Sequence, residues 1–104
     1  MTDVLLITDG SLAIAKERSR QIKQEGFNDE HDKNENLKSI IAAAVIYANL
    51  GTEKNPTSDF IQEMKKYWPW DEKYYKPKDQ LRNLERAGAL IAAAIDKIKN
   101  KSNT

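Results

Sequence analysis

At 104 residues the chain is long enough for one hydrophobic core and too short for two, so residues 1–104 are expected to form a single domain. With 39% apolar and 32% charged residues it falls among globular helical proteins, and the absence of cysteine excludes disulfides, thiolate metal sites and cysteine nucleophiles. A net charge of +1, from 17 basic and 16 acidic residues, supplies no general field for gripping a DNA or RNA polymer, so any anion site must be local.

Met1-Thr2-Asp3 carries no basic leader, and Val4-Leu5-Leu6-Ile7 is too short for a signal-peptide core or a membrane span. That implies a cytoplasmic protein with no membrane partner. The segment before the first helix fits either a short strand or an additional helical turn, and residues 1–10 and 100–104 stand as loose ends. A helix is predicted from Ser11 to Glu25, with Thr8, Asp9 and Ser11 competing as N-cap and Leu12, Ala15, Ser19 and Ile22 forming one stripe. Gly26 is its natural stop.

Residues Phe27 to Asn36 are polar and read as a loop ending in Asn34 or Asn36 as a cap. A second helix, Leu37 to about Leu50, is apolar nearly all round, as expected of a central helix, and Gly51 closes it. After Pro56, with Thr57 or Ser58 as cap, a short helix from Asp59 to Tyr67 places Phe60, Met64 and Tyr67 on one face, and Pro69 ends it. Residues 68–77 then hold both tryptophans and two of the four tyrosines. The last helix, about Lys78 to Lys99, repeats Leu81, Leu84, Gly88, Ile91, Ile95 and Ile98 at alternating spacings of three and four, the seam of helices packed at a shallow angle. Gly88 costs such a helix roughly 1 kcal/mol relative to Ala, which calls for close backbone approach, within the core or at a subunit interface. The expected fold is all-α, a compact four-helix domain with a Trp/Tyr-rich loop before the C-terminal helix.

No catalytic apparatus is evident. His31-Asp32 suggests a metal-dependent phosphohydrolase doublet, but His31 is the sole histidine and one imidazole with one carboxylate leaves a metal shell mostly unfilled. Helical pyrophosphohydrolases hold magnesium with acidic residues on facing helices, and Leu37 to Leu50 has none. No metal, cofactor or enzymatic activity is therefore expected. Arg18 and Gln21 share a face of the first helix, while Arg82 and Arg86 stand four apart on the last. Together with Lys76 and the rings of Trp68, Trp70 and Tyr75 they offer fixed donors for phosphate and flat faces for a base. The competing explanation is a solvated charged face and a loop pinned by buried tryptophan.

The ordered motifs Glu17-Arg18-x-x-Gln21-Ile22-x-x-Glu25-Gly26-Phe27, His31-Asp32, an Ala-rich helix with Tyr47, Trp68-Pro69-Trp70-Asp71, Lys76-Pro77-x-Asp79, Arg82-x-Leu84 and Ala87-Gly88-Ala89-Leu90-Ile91 resemble a family of small helical proteins encoded by phages and prophages. The resemblance runs from about Ala15 to Ile98. Those proteins look similar to phage counter-defence sponges, which sequester cyclic oligonucleotide or cyclic ADP-ribose signals between subunits without cleaving them. The resemblance implies a homo-oligomer in the bacterial host cytoplasm. It makes Arg18, Gln21, His31, Asp32 and Arg82 candidates for phosphate or base contacts, and Trp68, Trp70 or Tyr75 candidates for stacking. Many relatives carry His-Asp-Asp and a further His where this chain reads His31-Asp32-Lys33-Asn34-Glu35-Asn36, and tryptophan where it has Tyr74-Tyr75. The alternatives are an interaction module that inhibits a host protein and a metal-dependent nucleotide phosphohydrolase.

Overall fold

The computed structural model describes residues 4–24 and 36–102. Four α-helices account for most of them: α1 Asp9–Gln24, α2 Leu37–Leu50, α3 Ser58–Lys65 and α4 Gln80–Ser102, with a single 3-10 turn, Glu72–Tyr74, between the last two. The described residues contain no strand, which makes the fold all-α as expected. None of the described helices is long and apolar enough to cross a membrane.

The helix starts follow from local side-chain chemistry. Thr8 and Ser11 cap α1 reciprocally: the Ser11 amide donates to the Thr8 hydroxyl (3.2 Å) and the Thr8 amide to the Ser11 hydroxyl (2.9 Å). Asn36 accepts from the Lys38 amide at the head of α2, and Thr57 from the Phe60 amide at the head of α3. Asp79 accepts from the Arg82 amide at 2.9 Å and starts α4. Residues 4–8 are neither strand nor helix, and Val4 to Ile7 are exposed. The Gly26 stop and the loop before Asn36 lie outside the described residues.

The last helix organises the rest, with α2 and α1 both packed along it and α3 resting on α2. Gly51 lies against Leu84 and Tyr47 against Arg86, so α2 and α4 run antiparallel. Between them Ile40, Ala43, Ala44, Ile46, Tyr47 and Leu50 meet Ala87, Leu90, Ala93 and Ala94 in one core cluster. Small residues on both helices permit a close interaxial approach. Gly88 has a different neighbour: a Cβ there would lie 2.5 Å from Ile14 Cδ1, so glycine admits α1 onto α4. Gly51 plays the same part for Leu84, whose Cδ2 an added Cβ would overlap.

Three sequence expectations change. The seam of α4 is not its buried face, since Leu81, Leu84, Ile91, Ile95 and Ile98 are exposed while Asn83, Arg86, Ala87, Ala89, Leu90, Ala93 and Ala94 are buried. The wider run of alanines on the other side fits the Ala-rich face of α2 better than branched side chains do. On α1 the buried residues are Glu17, Arg18 and Gln21, with Leu12 and Ile22 exposed, because this helix docks through ion pairs. Tyr67 is exposed because α3 ends at Lys65, two residues before it.

Candidate functional site

The aromatic loop folds over the junction of α1, α2 and α4. Trp68 donates its indole N–H to the Asp71 carbonyl (3.1 Å), and Asp71 in turn caps the 3-10 turn by accepting from the Lys73 amide. Trp68 packs edge-on against Tyr47 and Trp70, each with ring centroids 5.5 Å apart, and lies 5.1 Å from the Tyr75 ring. Tyr75 anchors the loop by donating its hydroxyl to the Ile61 carbonyl at 2.7 Å, and burial together with the neighbouring Tyr47 pushes its pKa up to about 12. At neutral pH its hydroxyl is therefore a donor. Asn83, wholly buried, fixes the end of the loop by exchanging two hydrogen bonds with the backbone of Lys78.

Arg86 is the centre of the site. Its residue is only 8% exposed, and its guanidinium donates through Nη1 to the Lys76 carbonyl (2.9 Å) and lies 5.7 Å from the Tyr47 ring centroid. The Tyr47 hydroxyl accepts from the Lys76 amide at 3.0 Å and more weakly from Arg86 at 3.5 Å, which leaves its own proton to be donated. Arg86 Nε and Gln21 Oε1 are buried with no hydrogen-bond partner among the described residues. Both residues line one small cavity, about 20 Å³, shared with Glu17, Arg20, Tyr47, Trp68, Trp70 and Lys76. That space is large enough for one water molecule, whose donor and acceptor groups would suit these two atoms.

Glu17 and Arg20 also line a second space, an open groove of about 510 Å³ bounded by Asp9, Lys16, Arg82 and Glu85. This volume lies in the range of small-molecule sites. Glu17 is the wall between the two spaces. Its carboxylate accepts from Arg20 (2.7 and 2.8 Å), from Arg82 (2.9 Å) and from Gln21 (3.3 Å), with its side chain only 1% exposed. Burial alone would raise its pKa, but the hydrogen bonds and charges of Arg20 and Arg82 outweigh that and hold it at about 2. For Arg82 the same balance favours the cation, because Glu85 and Glu17 overcome desolvation.

Of the residues singled out in the sequence, Gln21, Trp68, Trp70, Lys76 and Arg86 line the same cavity. Tyr75 stands behind Trp68, and Arg82 belongs to the groove. Arg18 pairs with Asp96 at 3.3 Å, fourteen residues beyond Arg82 and about 21 Å along the axis of α4, so within one chain Arg18 and Arg82 serve different carboxylates. His31 and Asp32 lie outside the described residues. Sequence reasoning missed Tyr47 as a site residue, although a lone aromatic in an aliphatic helix was a visible signal, and it missed Glu17 as the common acceptor. The described residues contain no group of three or more potential metal ligands. No protein-family model, no curated protein and no solved structure matches this chain.

Proposed function

We propose that the protein binds and sequesters a small phosphorylated ligand with a planar base, of the cyclic dinucleotide or cyclic ADP-ribose type, without cleaving it. In this reading it is a phage protein acting as a homo-oligomer in the bacterial host cytoplasm, where removal of such a signal counteracts anti-phage defence. The observation that carries the reading is the buried Arg86 guanidinium, its Nε without a partner among the described residues, in a cavity walled by Trp68 and Trp70. A buried cation with an unused donor is costly unless something completes its hydrogen bonding. An anionic group is a better partner for it than water.

The cavity as it stands admits only water, so the ligand occupies the open groove and reaches Arg86 as the aromatic loop yields. Arg20 at the shared wall and Arg82 within the groove meet the phosphate, and an indole face takes the base. Binding without turnover agrees with the state of Glu17, which is too weak a base to take a proton at neutral pH.

Titration calorimetry against cyclic dinucleotides and cyclic ADP-ribose isomers tests the reading, with mass analysis of the ligand afterwards. Binding with unchanged ligand is expected. Arg86→Lys keeps the charge but removes Nε and the planar fork, and weakens affinity by about tenfold or more. Absence of heat with the whole panel, or recovery of hydrolysed product, removes the proposal.

A further inference from the structure

A second feature, remote from the aromatic loop, concerns the exposed side of α2 and α4. Ile41 and Val45 on α2, with Leu81, Leu84, Ile91, Ile95 and Ile98 on α4, remain exposed by between 40% (Ile41) and 71% (Leu81). The Gly51 to Leu84 contact sets the register of the antiparallel pair. Ile41 and Val45 therefore stand level with the Ile91 and Ile95 turns, and the seven form one apolar strip along two adjacent helices.

We infer that this strip is a homodimer interface, across which a second copy of the chain lies with its α4 antiparallel to the first. Three observations select a second copy. The 3-4 spacing from Leu81 to Ile98 is the pattern of helices that interlock at a shallow angle, and although Ile14 covers Gly88 and Leu84 touches Gly51, the branched side chains of that seam keep 43% or more of their surface exposed. A repeating seam is complementary to itself under a twofold axis.

The area also fits. At roughly 100 Å² for a fully exposed Leu or Ile side chain, the strip presents about 350 Å² of apolar surface. A standard interface draws about 800 Å² from each partner, somewhat over half of it apolar. The strip thus supplies most of the apolar part of such an interface.

Charge sets the direction. The Leu37 end of the helix pair carries Lys38 and Lys99, while the Gly51 end is mixed, with Glu53 and Glu85 beside Lys54 and Arg82. An antiparallel twofold lays the basic end over the mixed end, whereas a parallel one sets the lysines against each other. The axis then passes close to Ile91, seven residues from both Leu84 and Ile98.

This inference does not depend on nucleotide binding, and either can fail alone. Light scattering on the purified full chain at about 10 μM should give the mass of a dimer. Ile91→Glu and Val45→Glu, both at exposed positions, should each give a monomer with unchanged helical circular dichroism. Since the protein has no cysteine, Ile91→Cys should form an intermolecular disulfide on oxidation, and Leu84→Cys should not. A monomeric mass at all concentrations, a dimer untouched by both glutamate variants, or efficient cross-linking through Leu84→Cys but not Ile91→Cys overturns the inference. A monomer that captures a different protein through this strip overturns it as well.

Discussion

Glu17 is the residue on which the junction of α1 and α4 turns, because two arginines and a glutamine share its carboxylate in a buried setting. Its pKa of about 2 lies below the unfolded value of about 4.3. A depressed carboxylate contributes stability that is complete above the unfolded pKa and is lost as the pH falls through the folded one. Between about pH 5 and pH 2 the wild type should therefore lose roughly 3 kcal/mol that a Glu17→Gln variant does not lose. Glu17→Gln itself should cost on the order of 3 kcal/mol at neutral pH, since it leaves Arg82 and Arg20 facing an uncharged amide. Urea denaturation across that pH range measures both, and parallel acid profiles for the two proteins would refute the assignment. The residues nominated from the sequence converged where several lay close in the chain, as Trp68, Trp70 and Lys76 do. Glu17 as the acceptor joining α1 to α4 was not readable, because Arg20 and Gln21 are local partners but Arg82 lies 65 residues away.

At the scale of elements, glycine at position 88 trades helix propensity for contact with Ile14. Gly88→Ala gains about 1 kcal/mol of helix propensity and loses about 1–3 kcal/mol through overpacking, because Cβ would sit 2.5 and 2.6 Å from two side-chain atoms of Ile14. A net destabilisation of about 1 kcal/mol is expected. In an Ile14→Ala background the same change should stabilise, by about 1 kcal/mol. Thermal melts of the four proteins in this cycle decide it, and an unchanged sign in the Ile14→Ala background would mean the contact is not limiting. Helix starts were legible where a named cap is local, as with Asn36 to Lys38 and Thr57 to Phe60, whereas the sequence does not single out the Asp79 cap of α4 and puts that start at about Lys78. Faces were not. The stripe through Leu12 and Ile22 looked like the core side of α1, yet Glu17 and Arg18 are buried instead, held by Arg82 and by Asp96, 78 residues further on.

For the molecule as a whole, the exposed strip on α2 and α4 ties stability to concentration. If folding and dimerisation are coupled, the midpoint of thermal unfolding should rise with protein concentration in the wild type and stay constant in Ile91→Glu. A flat dependence in both would leave the strip without energetic weight. The all-helical fold followed directly from periodicity and caps, whereas the division of α4 into a buried alanine face and an exposed branched one did not. Both faces repeat at helical spacing, and hydrophobicity alone favours the branched one. Only the close approach of α2, permitted by Ala43 and Ala44 against Ala87, Ala93 and Ala94, shows which face the monomer uses.

The chain's two tryptophans both belong to the loop over the cavity, with their rings near perpendicular at 87° and 5.5 Å apart. Indoles so close couple their electronic transitions, so the loop carries its own optical gauge. Near-ultraviolet dichroism and tryptophan emission therefore report the posture of this one segment, free of background from any other indole, and register its displacement without a dye or tag.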